Sequence, residues 1–264
     1  MTDDRDPIAA GYDTFYEMWG QSPTLRRIWH EHVTGSDYPD AFAHISFLPL
    51  AQLRLLGDAL QVSDGHVVLD IACGAGGPGL WVTHEHGSRL IGIDISSVAV
   101  RKASERSRAL GLGARTEFAL GTFANTGLAS ESVDGVMTVD ALQYAPSKAA
   151  AVAEVARVLR PGRRFVMVAF ELDAARIAGL PVWTDPIGDY RPLLESEGFD
   201  VLAYETVPGW RGSVRDAYRS VLAEREALRS EMGEAAAEAI ALEASITLDL
   251  DPYAGHVMAT AVRR

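Results

Sequence analysis

The chain has 264 residues, 48% of them hydrophobic and 23% charged, which is ordinary for one sizeable globular domain with an insertion or a cap. A net charge of −12 disfavours nucleic acid as a partner, because nucleic-acid-binding proteins usually carry a broad basic face. The sequence shows no signal-peptide pattern, no membrane-spanning apolar run and no second cysteine to pair with Cys73, so we expect a cytoplasmic protein that does not contact a membrane.

The first sixty residues are predicted to be helical. Aromatic and apolar side chains crowd together in the segment YDTFYEMW, residues 12–19. We therefore expect a helical N-terminal cap over residues 1–62, ahead of a core that begins near Ser63.

Residues 63–208 alternate short apolar runs with helical patterns, which predicts a parallel sheet with crossover helices. Ser96 or Ser97 is suited to cap one of these helices, and Ser147 begins another, which the triplet RPG at 160–162 is expected to close. The predicted strands of this core are 66–72, 89–95, 115–120, 133–139 and 163–170.

The last third departs from this alternation. Ser213 and Asp216 resemble a capping box at the start of one long helix that reaches about Ala244. Its Glu/Arg-rich face, within residues 215–243, is expected to be solvated. The other predicted elements are a helix at 191–197 and strands at 199–206 and 256–262, with a helical insertion over 209–252 and a last core segment over 253–264.

The stretch VVLDIACGAGGPGLW contains a G-x-G-x-x-G pattern at residues 74–79, which is shared with dinucleotide-binding loops. Asp94 ends the next strand, the usual place for an acid that accepts hydrogen bonds from ribose hydroxyls. Asp70 distinguishes a dinucleotide from a ligand with a cationic group. A carboxylate repels a pyrophosphate by about 1 kcal/mol at 4 Å in water, whereas it attracts an ammonium group. S-adenosylmethionine, with adenosine at one end and a cationic amino acid at the other, satisfies both acids.

Four motifs in order resemble the class I S-adenosylmethionine-dependent methyltransferases: LDIACGAGGPG, LIGIDIS, SVDGVMTVDALQYAP and RVLRPGRRFVMVAF. The resemblance implies an α/β fold, a Rossmann-like, doubly wound, seven-stranded sheet with an antiparallel last strand. It also implies a cofactor site in which the methionine part lies near Asp70, Ala72, Gly74 and Gly76, the ribose near Asp94 and Ile95, adenine near Thr122 and Phe123, and the sulfonium near Asp140 and Ala141.

Two positions qualify this resemblance. Relatives often carry Asp-Ala where this chain has Thr122 and Phe123, so the contact with the adenine amine is expected to be weaker here or made by the backbone. Tyr12 matches an N-terminal tyrosine that closes over the cofactor in small-molecule relatives, although a packing role in the cap explains it equally well.

Methylation of an alcohol or phenol needs a base to take the acceptor's proton. Glu171, just beyond the fifth strand, is the favoured candidate, with a solvated loop carboxylate as the alternative. Tyr144 replaces a histidine that sugar and natural-product methyltransferases often carry, and it is expected to line the pocket. His44 is a third candidate, although a lone histidine on an apolar segment is more often a core residue. No histidine pair has the partners of a zinc site, so we expect no metal.

The helical additions favour a lid over an enclosed small-molecule cleft. We therefore expect a methyltransferase that acts on a small molecule, with O-methylation of a natural product, sugar or aromatic hydroxyl favoured. The added segments supply aromatic side chains that could stack on a ring-bearing acceptor: Trp19, Trp29, Phe42, Phe47, Trp183, Trp210 and Tyr218.

Other functions stay open at this point. The same fold could support N- or C-methylation, or a non-methylating reaction such as cyclisation. A nicotinamide-dependent oxidoreductase explains the glycines but not Asp70. A non-enzymatic binding module, with the helices as a partner surface, is the least favoured alternative because of the intact cofactor acids and the enclosed cap. Whether the protein is a monomer or a homodimer is left open.

Overall fold

The computed structural model describes residues 7–177 and 185–264. Seven strands form one sheet in the order β3-β2-β1-β4-β5-β7-β6, in which β1 to β5 pair in parallel and β7 is antiparallel to both β5 and β6. This confirms the predicted fold class. The strands are β1 Val67–Ile71, β2 Arg89–Asp94, β3 Thr116–Leu120, β4 Val133–Val139, β5 Leu159–Leu172, β6 Phe199–Thr206 and β7 Ala254–Arg263.

Helices cover both faces of the sheet, as a parallel sheet requires. Along β5, Val166 and Val168 pack on the face covered by the N-terminal helices, whereas Phe165 and Met167 pack on the opposite face. The helices are α1 Pro7–Trp19, α2 Pro23–Trp29, α3 Leu50–Leu60, α4 Gly77–His86, α5 Ser97–Ala109, α6 Lys148–Val158, α7 Arg191–Ser196, α8 Trp210–Ala223, α9 Arg225–Met232 and α10 Glu234–Leu250. None of the described helices is long and apolar enough to cross a membrane.

Local sequence explains where several helices begin. The hydroxyl oxygen of Ser96 accepts a hydrogen bond from the amide of Ala99 at the start of α5, at 3.1 Å. Ser147 does the same for the amide of Ala150 in α6, at 3.2 Å. Each serine satisfies an amide that has no partner inside the helix, so the predicted caps are confirmed.

The RPG triplet does not close α6 as predicted. The helix ends at Val158, and β5 already begins at Leu159, which pairs with Val133. The register then shifts, so that Gly135 pairs with Arg164, and Gly162 takes a φ of 75°. The triplet therefore forms an irregularity within the strand rather than a separate turn.

The prediction of a single long helix from Ser213 is wrong, because three helices occupy this segment. Gly209 caps the helix that begins at Trp210, so Ser213 lies inside it, and the chain breaks again at Glu224 and Gly233. Gly233 has φ 83° and ψ 164°, a conformation that only glycine adopts easily. The breaks fold three shorter helices against one another and turn one face of α10 inward, which the sequence pattern did not indicate.

Candidate active site

A cavity of about 860 Å³ lies at the carboxyl ends of β1, β2 and β4. This is where ligands bind in open α/β sheets, at the reversal of strand order. The cap helices α1 and α2 and the inserted helices α8 and α10 also contribute to its walls. Its lining includes most residues predicted for the cofactor: Tyr12, Asp70, Ala72, Gly74, Asp94, Ile95, Thr122, Phe123, Asp140 and Ala141.

Asp94 holds the glycine loop in place. Its Oδ2 accepts a hydrogen bond from the Gly74 amide at 2.8 Å, and its Oδ1 accepts one from the Ser96 amide at 2.9 Å. Only 6% of Asp94 is exposed, and burial raises the pKa of its carboxyl group. Each carboxylate oxygen can accept a second hydrogen bond, so Asp94 is equipped to bind the two hydroxyls of a ribose.

Gly76 supports the glycine loop through its backbone conformation and its packing. It is the N-cap of α4 with φ 79°, and a Cβ atom there would lie 3.1 Å from the Ala103 Cβ. It does not itself border the cavity, whereas its neighbours Ala75 and Gly77 do. The loop thus needs glycine both for its left-handed backbone and for close packing.

Asp70 is a lining residue of the cavity close to the glycine loop, with 2% of its surface exposed. Its carboxylate accepts a hydrogen bond from the Gly79 amide, and a Cβ at Gly79 would lie 2.6 Å from its Oδ2. Burial, reinforced by the nearby charge of Asp94, raises the pKa of Asp70 to about 8. A bound cation would favour the ionised form of this carboxyl.

This pKa makes cofactor affinity depend on pH. We expect the affinity for S-adenosylmethionine to rise between pH 5.5 and 7, by at most about tenfold per pH unit, because its cationic end binds ionised Asp70 and the free carboxyl is protonated below pH 8. Isothermal titration calorimetry across this range checks the slope. Asp70→Asn should flatten it, and parallel curves for the two proteins would contradict the assignment.

Two tyrosines of α1 line the cavity near the glycine loop. The hydroxyl of Tyr16 lies so close to Gly74 that a Cβ there would overlap it, and 9% of Tyr16 is exposed. Tyr12 borders the same space, where burial and the charges of Glu243 and Asp94 raise the pKa of its hydroxyl to about 12. The sequence singled out only Tyr12, but the structure brings Tyr16 closer to the glycine loop.

Asp140 joins three distant parts of the chain. Its Oδ2 accepts a hydrogen bond from the Phe47 amide at 2.6 Å, and its Oδ1 lies 2.6 Å from Nε2 of His256. His256 is fully buried and stacks on Phe170, with ring centroids 4.2 Å apart. Asp140 itself has φ 50°, a strained value for a residue other than glycine. Both of its oxygens thus serve as anchors at the edge of the cavity.

Thr122 and Phe123 border the cavity in a tight turn after β3. The amide of Thr122 donates to the Asn125 carbonyl at 3.0 Å, and the Asn125 amide donates back to Thr122 at 3.2 Å. Ile95, directly after Asp94, lies in the same wall. These positions agree with the expected adenine and ribose contacts, which stay predictions.

Glu171 does not border the cavity. Phe170 and Leu172 do, and because side chains alternate along a strand, Glu171 points to the other face of the sheet. There it accepts a hydrogen bond from the Tyr204 hydroxyl. We therefore correct its assignment as the base, and we expect Glu171→Gln to leave the turnover number within about twofold of wild type in a methyl-transfer assay. A loss of two orders of magnitude would restore it as a candidate.

The other two predicted bases do border the cavity. Burial lowers the pKa of His44 to about 4, so the ring is neutral at pH 7 and a weak proton acceptor. Its Nδ1 lies 2.7 Å from the Ser46 hydroxyl. Burial raises the pKa of Tyr144 well above its ordinary value, an effect that the nearby Glu243 reinforces. Tyr144 is thus a hydrogen-bond donor rather than a base at neutral pH.

A cluster of aromatic side chains also lines the cavity. Phe47 is central to it, with its ring centroid 5.2 Å from Trp29, 5.4 Å from Tyr218 and 6.0 Å from Phe170. Trp210 extends the contacts, 5.8 Å from Phe170. We define the aromatic chamber as Trp29, Phe47, Phe170, Trp210 and Tyr218.

The remaining aromatic residues singled out by sequence have other positions. Trp19 borders the cavity and contacts Trp29 at 4.9 Å between centroids. Phe42 is buried against His84 and is not part of the lining. Trp183 lies outside the described residues.

Sequence reasoning missed Glu243, which borders the cavity on α10. Its Oε1 accepts a hydrogen bond from the Tyr218 hydroxyl at 2.7 Å. The available signal was its spacing. Glu243 follows Ile240 by three residues and precedes Thr247 by four, and both of those residues line the cavity. This spacing places Glu243 on the same, inward face of the helix. The expectation of a solvated face over residues 215–243 is wrong at this residue.

Comparison with known proteins identifies the family. Residues 68–162 match the methyltransferase domain family. The chain is 30% identical over 195 residues to methyltransferase GfsG of Streptomyces halstedii, an alignment that covers 67% of this chain and 69% of that protein. The chain belongs to the class I S-adenosylmethionine-dependent methyltransferases. Its cofactor is therefore S-adenosylmethionine, and the loop geometry around Asp94 and Gly74 fits it.

Other relatives differ in their named reactions. 24-methylenesterol C-methyltransferase 2 of Oryza sativa subsp. japonica is 31% identical over 173 residues, which are 61% of this chain but 44% of that protein. The chain thus spans less than half the length of this sterol methyltransferase. The solved structure of the [4+2]-cyclase SpnF superimposes with a TM-score of 0.75 at 21% identity, covering 98% of both chains. That of geranyl diphosphate C-methyltransferase from Streptomyces coelicolor A3(2) has a TM-score of 0.64 at 15% identity, covering 92% of this chain and 98% of that one. These two likenesses show the fold.

Proposed function

We propose that the protein transfers the methyl group of S-adenosylmethionine to a hydroxyl group of a small, neutral and largely apolar molecule. The observation that carries this proposal is a single cavity whose lining includes Gly74 of the glycine loop, Asp140 and the aromatic chamber. At about 860 Å³, it lies at the upper end of the ~300–1,000 Å³ typical of ligand sites, which suits a cofactor and an acceptor together.

The lining residues around the glycine loop and the turn after β3 are suited to separate tasks in binding the cofactor. Asp94 would accept hydrogen bonds from the ribose hydroxyls, and the turn at Thr122 and Phe123 would border adenine. Asp70 would balance the positive charge of the methionine end, with Tyr16 close to the same loop. When bound, the cofactor supplies an electrophilic methyl carbon on a positively charged sulfur.

The charges of the lining support a neutral acceptor. Apart from His44, the basic side chains among the described lining residues are Lys102 and Arg106, both on α5. Lys102 donates to the Tyr16 carbonyl, and Arg106 donates to the Ala43 carbonyl at 2.7 Å. The aromatic chamber itself contains no basic residue, so a phosphate or carboxylate placed there would have no counter-charge.

The added helices support enclosure of the acceptor. We propose that residues 1–62 and 209–252 act together as a lid over the core of residues 63–208 and 253–264. The Phe47 amide ties the cap to Asp140 of the core, and Tyr218 ties α8 to Glu243 of α10. Such a lid excludes water and holds the acceptor in line with the methyl carbon, an alignment worth several kcal/mol of the barrier.

The proposal is tested with S-adenosylmethionine labelled in its methyl group, incubated with the protein and a metabolite extract of the organism that makes it. We expect mass spectrometry to show a labelled small molecule whose fragments carry the label on oxygen. A label on nitrogen or carbon would overturn the hydroxyl assignment. A tightly bound cofactor with no label transferred to any metabolite would point instead to a non-methylating reaction.

A further inference from the structure

Glu243 is a carboxylate in an aromatic setting. It lies on the inward face of α10. Burial, reinforced by the charge of Glu243, raises the pKa values of three tyrosine hydroxyls, Tyr12, Tyr144 and Tyr218. No salt bridge to Glu243 is found within residues 7–177 and 185–264. A carboxylate that faces a ligand cavity without a basic partner is costly to maintain, and this suggests a use beyond folding.

We propose that Glu243 is the catalytic base and takes the proton from the hydroxyl group of a neutral, ring-bearing acceptor held in the aromatic chamber. This inference rests on the proposed function. Glu243 replaces Glu171 as the candidate base, because Glu171 faces away from the cavity. The inference also assigns the chemical class of the acceptor.

Geometry supports this role first. The Tyr218 hydroxyl donates to Oε1 of Glu243 at 2.7 Å, which holds the carboxylate of this lining residue. No hydrogen bond to Oε2 is found within residues 7–177 and 185–264, so this oxygen can accept one from a ligand. Tyr218 is itself a wall of the aromatic chamber, 6.2 Å from Trp29 between ring centroids. An acceptor ring stacked in the chamber therefore places its hydroxyl beside the carboxylate.

The electrostatics agree with the geometry. Burial raises the pKa of Glu243, and the Tyr218 hydrogen bond opposes this in part. A carboxylate whose pKa is raised in this way is a stronger base than an exposed one.

The proton and electron balance is simple. The acceptor oxygen forms a bond to the methyl carbon while the carbon–sulfur bond breaks and its electron pair stays on sulfur. The hydroxyl proton passes to Glu243, which becomes a neutral carboxylic acid and returns the proton to solvent when the product leaves. No metal, oxidant or reductant is required.

The test uses binding to the full chain in complex with S-adenosylhomocysteine, measured by calorimetry at pH 8. The probes are naphthalene, 2-naphthol and 2-naphthoate, which share a ring system and differ in one group. Wild type should bind 2-naphthol at least about tenfold more tightly than either of the others, because a charged acceptor strengthens a hydrogen bond and repels an anion. In Glu243→Gln, 2-naphthoate should gain about tenfold and the preference for 2-naphthol should shrink.

A second readout does not need a ligand. In cofactor-free protein, carbon-13 NMR of labelled glutamate should show a carboxyl that titrates above the ordinary range and disappears in Glu243→Gln. Burial also raises the pKa of Glu171, and that second signal should remain in the variant. Tyr218→Phe keeps the ring and removes the hydrogen bond, so it should raise the pKa of Glu243 further; it also serves if the glutamine variant does not fold. Asp249→Asn, exposed on the same helix, is the matched control and should change neither readout.

The outcomes separate the two proposals. If S-adenosylhomocysteine binds normally and Glu243→Gln leaves all three probe affinities unchanged, the role of Glu243 is overturned while the methyltransferase proposal stands. If wild type does not bind S-adenosylhomocysteine, the proposed function itself fails.

Discussion

Asp94→Ala is expected to lower the affinity for S-adenosylhomocysteine by at least about 100-fold. The variant removes the proposed acceptor for two ribose hydroxyls. Each hydrogen bond to a charged group contributes about 1.5–3 kcal/mol, and 1.4 kcal/mol corresponds to tenfold in affinity. It also frees the Gly74 and Ser96 amides, which Asp94 now holds at 2.8 and 2.9 Å. Calorimetric titration measures the effect.

Two comparisons sharpen that result. Asp94→Asn keeps one acceptor oxygen and should lose less affinity than alanine. Asp249→Ala, on the exposed side of α10, should bind like wild type. Affinity within threefold of wild type for a folded Asp94→Ala protein would show that the ribose is held elsewhere.

Asp140→Ala is expected to destabilise the protein by about 2–6 kcal/mol. The substitution leaves two buried donors without acceptors, the Phe47 amide and Nε2 of His256, and an unsatisfied buried group costs about 1–3 kcal/mol. Alanine also tolerates the left-handed backbone at φ 50° less well than aspartate does. Urea unfolding followed by tryptophan fluorescence gives the free energy of unfolding.

The matched variant here is Asp140→Asn, which accepts the left-handed backbone and keeps one oxygen for either donor. It should recover a substantial part of the lost stability. A decrease below 1 kcal/mol for Asp140→Ala would mean that Asp140 does not anchor the cap to the core.

Much of the cavity wall around the glycine loop could be predicted from sequence because its determinants are local. The buried run ending at Asp70, the glycines after it and the acid at Asp94 lie within 25 residues, and strand and loop geometry places them together. The motif order in turn indicated the sheet, which the strand pairing confirms. Tyr16 was one helical turn from the tyrosine that the resemblance selected, and only packing against Gly74 distinguishes the two.

Sequence alone thus determined the fold class, the family and the acids of the glycine loop, since short-range periodicity and backbone constraints suffice for these. Tertiary structure decided the rest of the cavity lining. Asp140 contacts Phe47, which lies 93 positions before it, and His256, which lies 116 positions after it, and no local pattern links the three residues.

Glu243 faces the cavity because breaks at Glu224 and Gly233 fold α10 back over the sheet, and Glu171 faces away because side chains alternate along β5. Which side of an element meets the ligand depends on what packs against it, and that is settled only when distant segments come together.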